Sequence, residues 1–326
     1  PRIAAEKNDS TRFYLALSGL TVSETNPVLD MNNAERILIH AQKNNDVVCE
    51  VLGLGCLGYD YRAFGNTATS LEYNLKTNAV AERSKDPRLL SLGKLLLSMS
   101  YLDLEDYPKA ISYGLASLEA AEKVEENIFT IMGNQTLGEI YLKLNKVDSA
   151  LIYTQKAYQL CMKSGIKEYL GAVYGQLGSI HVLMQNKPLA IGYFNLALDE
   201  ALKINSPKYI SISLYTIADF YYKNKQRDSA LLYSKKAITA VQNTAFSTLS
   251  ILPSKLLQDI YRDSNIDSAF KYSEMHRIAN DSLYNIKALQ QAQLMTFEED
   301  ARQQELAVKE AKKEQQRKQN IQYALA

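Results

Sequence analysis

The apolar and polar positions of this chain recur as one unit. It is clearest over residues 131–163, where Leu137-Gly138 and Tyr141 are parted from Ala150 and Ala157 by a polar break at Asn145-Lys146. Gly138 and Tyr141 share one face of a helix, and Ala157 follows Ala150 by two turns of a second helix. Small residues at a crossing let two helices approach closely, so the unit reads as a helical hairpin, which cannot bury its whole apolar face alone. Shifted forward by 40 residues the unit lands on Leu177-Gly178, His181, Ala190 and Ala197, then on Ile217-Ala218, Tyr221, Ala230 and Ala237. Shifted back it lands on Leu97-Ser98, Tyr101, Ala110 and Ser117, then on Leu57-Gly58, Tyr61, Ser70 and Thr77. Looser copies stand at Leu257, Gln258, Tyr261, Ala269 and His276, and at Leu17, Ser18 and Thr21, making seven in all.

The elements follow from the register. The spacing predicts a helix over Thr11–Ser23, ended near Asn26-Pro27, and its partner over Asn32–Lys43. Later pairs are predicted at Asp46–Phe64 and Thr69–Ala81, Leu89–Leu104 and Pro108–Lys123, Asn127–Leu144 and Asp148–Lys163, Glu168–Met184 and Pro188–Ile204, and Pro207–Asn224 and Asp228–Val241. A seventh pair opens near Thr248–Arg262 and Asp267. Asp148, Asp228 and Asp267 stand where a carboxylate suits a helix start. The expected architecture is all-α: an α-solenoid of about seven hairpins over residues 1–281, then one long helix over 282–326. That tail lacks Gly and Pro and carries a thin heptad seam at Leu294, Phe297, Ala301 and Val308, which predicts either a solvated helix or a weak parallel homodimer.

The order Leu-Gly, Tyr, Ala, Ala resembles the tetratricopeptide repeat, although the period is 40 rather than about 34. The resemblance covers residues 11–281 and implies that the first helix of each hairpin lines a concave groove. Carried over by register, groove positions fall on Tyr59, Arg62, Gln135, Glu139, Lys143, Gly175, Ser179, Tyr215, Asp219, Tyr222 and Lys255. The family's carboxylate-clamp form repeats a Lys and Asn pair that is missing here, so chaperone-tail binding is not expected. The tail and the ending Ile321–Ala326, which reads as an apolar segment cut short, resemble bacterial sensors in which periplasmic repeats precede a membrane helix. That resemblance implies a sensory domain binding a peptide or protein, a membrane anchor beyond Ala326, and a place on the periplasmic side of the inner membrane. The alternative is a free-standing cytoplasmic scaffold or peptide-binding regulator.

Composition adds exclusions. A net charge of +1 gives no electrostatic footprint for nucleic acid. Tyr is abundant at 22 and Trp absent, and Tyr73, Tyr113, Tyr153, Tyr193 and Tyr233 recur in register, as packing between repeats with the hydroxyl at the edge would require. Cys49, Cys56 and Cys161 form no disulfide framework. No leader follows Pro1, so a signal peptide is absent or already removed. No run is apolar and long enough to span a bilayer. Gly53-Leu54-Gly55-Cys56-Leu57-Gly58 matches a dinucleotide fingerprint, but Gly58 falls at the helix-crossing site and no strand precedes it. His40, His181 and His276 have no His or Cys at ligand spacing, and no nucleophile–base grouping emerges. Neither a cofactor, nor a metal, nor an enzymatic activity is expected.

Overall fold

A computed structural model describes residues 27–281, apart from positions 64 and 245. Among them α1 (Pro27–Asn44) is followed by the hairpins α2 (Val47–Ala63) with α3 (Thr67–Ser84), α4 (Pro87–Asp103) with α5 (Tyr107–Glu122), and α6 (Asn127–Lys143) with α7 (Val147–Ser164). Next come α8 (Leu170–Leu183) with α9 (Lys187–Lys203), and α10 (Pro207–Lys223) with α11 (Arg227–Val241). A 3₁₀ turn (Ser247–Ser250) leads into α12 (Ile251–Tyr261), and α13 spans 266–281. No strand occurs among the described residues. Successive first helices α2, α4, α6 and α8 touch each other, whereas no comparable contact joins successive second helices. The first helices therefore form the inner wall of a superhelix and the second helices its outer wall.

The register is carried by the turns. Residues 45, 65, 85, 105, 125, 145, 165, 185, 205 and 225 all take positive φ, so a left-handed residue follows each of α1–α10 at 20-residue spacing and two such steps make one repeat. Only Gly65 and Gly165 of these are glycine; Lys85, Glu105, Glu125, Gln185 and Lys225 hold a conformation that costs an L-residue about 1–2 kcal/mol. At all of these but Lys85, where the Asp86 N–H donates to Ser84 Oγ at 3.1 Å, what holds them is a Schellman closure. At Asn145, the Asn145 N–H donates to the Leu142 carbonyl at 2.9 Å and the Lys146 N–H to the Tyr141 carbonyl at 2.9 Å. The same pair of bonds recurs at Glu105, Gln185, Asn205 and Lys225. The next residue then caps the following helix: Asn66, Asp86, Asp106, Glu126 and Asn186 each accept from a first-turn N–H.

Within each hairpin the first helix is clasped to the second by a stacked ring pair. Tyr61–Tyr73, Tyr101–Tyr113, Tyr141–Tyr153, His181–Tyr193 and Tyr221–Tyr233 have centroids 5.5, 5.5, 5.4, 5.4 and 5.6 Å apart. Tyr261–Tyr272 continues the series onto α13 at 5.8 Å. One turn before each ring the helices cross. A Cβ at Gly138 would sit 2.5 Å from Thr154 Oγ1, and one at Gly58 would run into Asn74. Ser98 occupies the same site in α4 and donates to the Ala110 carbonyl at 2.7 Å. Ala110, Ala150, Ala190 and Ala230 are fully buried. Between hairpins, Leu102, Leu118, Leu137 and Ile140 make a shared apolar cluster.

Several expectations need correction. α1 begins at Pro27, not at Asn32, and the fixed φ of Pro suits a first helical position. α8 starts at Leu170, not Glu168, because residues after Gly165 form a short irregular turn. The seventh pair opens with a 3₁₀ turn rather than an α-helix from Thr248. Asp148 and Asp228 lie inside the first turn of their helices, where they suit the dipole without capping. On α13 the cap is Asn265, accepting from the Ser268 N–H at 2.8 Å. The predicted helix Thr11–Ser23, the tail 282–326 and the seam Leu294, Phe297, Ala301 and Val308 lie outside the described residues.

Candidate functional site

The superhelix is tight enough for its inner wall to close on itself. Tyr59 near the end of α2 and Tyr209 in the first turn of α10 bring their hydroxyls to 3.4 Å across 150 residues of chain. Tyr169, one register step before Tyr209, lies close enough to act on Tyr59 and to feel Tyr209, and burial pushes the Tyr59 and Tyr169 hydroxyls above the ordinary range. Beside this contact Arg62 makes a forked pair with Asp103: Nε to Oδ2 at 2.5 Å and Nη2 to Oδ1 at 2.9 Å. Burial alone would lower the guanidinium, but the bonds to Asp103 outweigh it and keep Arg62 firmly charged. Arg62 and Asp103 each leave 26% of the side chain accessible, so the pair faces a recess that solvent reaches.

Glu139 on α6 shares this recess. Burial raises its carboxyl, against the pull of Arg62 and Lys143. Lys208, next to Tyr209, is lowered chiefly by burial and further by Arg62. Its ammonium stands over the Tyr209 ring at 5.6 Å and the Phe246 ring at 6.0 Å. The floor of the groove is formed by α8, where a Cβ at Gly175 would meet nothing within 4 Å. Ser179 turns its hydroxyl onto the Gly175 carbonyl at 3.0 Å, adding little bulk there.

The sequence-derived groove residues fall into two groups. Tyr59, Arg62, Glu139 and Lys143 surround the closure. Gln135 borders it, with its carbonyl accepting from Gln176 Nε2 at 2.9 Å. Tyr215, Asp219, Tyr222 and Lys255 lie toward the other end. Tyr215 packs on the Ala218, Ala230, Leu256 and Ile260 cluster, Asp219 pairs with Lys223 at 2.6 Å, and Lys255 with Asp259 at 3.4 Å. Tyr222 lines a shallow cleft of about 490 Å³ with Arg227 and Asp263. Asp103, Tyr169, Lys208 and Tyr209 were missed. Asp103 stands one register step before Lys143, and Tyr169 and Tyr209 stand 40 residues apart, so the periodicity held a signal for three of them.

A second correction concerns the histidines. The turn at Asn45 brings His40, Asp46 and Cys49 together, with potential ligand atoms within 4.8 Å of one another. Their bonding is that of a helix start. Asp46 Oδ1 accepts from the Cys49 N–H at 3.0 Å. Asn44 Nδ2 contacts His40 Nδ1 at 3.1 Å; as its donor it leaves the ring proton on Nε2, which faces Asp46 at 3.9 Å. Burial, then the bond to Asp46, pushes the Cys49 thiol up to about 12. A thiol so held is the reverse of an activated nucleophile or a ready ligand. Gly53–Gly58 lies within α2, so the glycine motif is helical and does not cradle a phosphate.

No family model matches the chain. The response regulator aspartate phosphatase I of Bacillus subtilis (strain 168) is 30% identical over 111 residues, which span 32% of this chain and 28% of that protein. The match thus reaches less than a third of the relative's length. Among solved structures, a Rap protein complexed with competence and sporulation factor superposes with a TM-score of 0.58 at 14% identity, covering 82% of this chain and 86% of that one. The Rap conjugation gene regulator of the plasmid pLS20, in complex with the Phr* peptide, gives 0.57 at 13% identity, over 76% and 78% of the two chains. The likeness is one of fold: this is a tetratricopeptide-like helical repeat protein of the architecture seen in Rap proteins. It corrects the placement on the periplasmic side of a membrane. Chains that share the fold include Rap proteins, and among the described residues no helix is long and apolar enough to cross a membrane.

Proposed function

We propose that this chain is a peptide-binding regulator or scaffold whose inner groove, between α2, α6, α8 and α10, takes an extended peptide. The observation that carries the reading is the wall itself: a closed, partly aromatic recess with a forked ion pair and an unfilled floor at Gly175. Recesses of mixed apolar and placed polar groups suit ligands better than flat surfaces do. The two Rap complexes, one of them with a named peptide, support the same use of the fold. Tyr and Arg, the residue types that most often anchor partners, are concentrated at the closure.

The test fills the floor. A synthetic pool of random octapeptides is passed over immobilised full chain, and retained peptides are identified by mass spectrometry. Gly175→Trp places a large ring in the groove, whereas Gly192→Trp places it in open space on the second helix of the same hairpin. Wild type and Gly192→Trp are expected to retain the same peptides and Gly175→Trp to lose them. Equal retention by all three refutes the groove as the site.

A further inference from the structure

We infer that the peptide's anchoring group is a carboxylate, received by Lys208; this rests on the groove reading above. The argument is a charge count inside the closure. Three cations, Arg62, Lys143 and Lys208, face two acids, Asp103 and Glu139. Asp103 is committed to Arg62 through both oxygens, and burial holds Glu139 toward its neutral form.

Lys143 lies beside Glu139 and is exposed to solvent, so Lys208 is the part-buried cation left over. It forms no ion pair with a described residue and meets two aromatic faces instead. A partly desolvated ammonium without an ion pair of its own, with Asp103 acting on it only from a distance, is costly, and Lys208 also sits in the first turn of α10, where the helix dipole disfavours a cation. These penalties vanish when an anion enters, because the dipole, the ammonium and the Tyr59 and Tyr209 hydroxyls then all act on it favourably. The hydroxyls, 3.4 Å apart, can each donate to a carboxylate oxygen. The clamp that repeats Lys and Asn along successive repeats is absent, so this site is set by a single helix start and not by the groove register.

Three peptide pools test it on the full chain. One carries Asp and Glu with free carboxyl termini, one carries Asp and Glu with amidated termini, and one has Asn and Gln in their place with amidated termini. Wild type is expected to retain acid-containing peptides at least about tenfold better than neutral ones, the size of one charge-assisted contact. Comparison of the first two pools tells a terminal carboxylate from an acidic side chain. Lys208→Met should abolish the preference and Lys208→Arg should keep it. Retention by wild type without charge preference, or an unchanged preference in Lys208→Met, overturns this inference and leaves the groove reading standing. Retention of no pool by wild type overturns both.

Discussion

Gly175 and Gly178 lie three residues apart on α8, and alanine at each is expected to move stability in opposite directions. Gly175 faces the open groove, so its Cβ would meet nothing within 4 Å. Gly175→Ala then only removes the helix penalty of glycine, a gain of about 0.8–1.0 kcal/mol. Gly178 faces α9. Its Cβ would lie far inside van der Waals contact of the Phe194 ring and 3.2 Å from the Ala190 carbonyl. Phe194 is only 4% exposed and packs edge-on against Phe220 at 6.0 Å, so it has no free direction in which to swing. Overpacking of this kind costs about 1–3 kcal/mol, which outweighs the propensity gain. At about 2–4 °C per kcal/mol, Gly175→Ala should melt about 2–4 °C above wild type and Gly178→Ala several degrees below it. Circular dichroism at 222 nm during heating reads both. A shift of the same sign in the two variants would refute the assignment of α8's inner and outer faces, and with it the groove.

Three further outcomes follow from the repeat. His181 stands where the other clasps have Tyr, and its Nδ1 is buried without a hydrogen-bond partner; His181→Tyr should stabilise by about 1 kcal/mol, and a lower urea midpoint would contradict the clasp's role. Lys225 holds φ at 62°, so Lys225→Gly should stabilise by about 0.5–1 kcal/mol and raise the urea midpoint, while the same change at Tyr141, in the last turn of α6 and in the clasp with Tyr153, should lower it. Glu139 is raised above 4.5 by burial, so the fold binds its proton more tightly than the unfolded chain does. Its stabilising contribution is present below that value and is lost as pH rises through the raised one. Glu139→Gln should therefore flatten the melting temperature from pH 4 to 7, and an unchanged slope would rule out Glu139 as its source.

What the sequence disclosed, and what it hid, divides along one physical line. Contacts within a hairpin depend on positions that recur every 40 residues, so Gly138 against the second helix and Tyr141 against Tyr153 could be anticipated from spacing alone. The helix ends were legible less well, because five of the left-handed turns use Lys, Glu or Gln where glycine would have announced them. The backbone closure that holds most of those residues leaves no mark in composition. The groove closure was not legible at all. Tyr59 meets Tyr209 because small rotations add up over four repeats, and a quantity that accumulates along a solenoid cannot be read from any one unit. Lys208 compounds the difficulty: it precedes the groove positions of its own helix and becomes part of the recess only when α2 is brought round to meet it. Function on such a scaffold can therefore rest on residues that break the repeat. A Lys at a helix start with no ion-pair partner in its own hairpin is unhelpful to α10 by itself, and its place is intelligible only through what the far end of the superhelix presents to it.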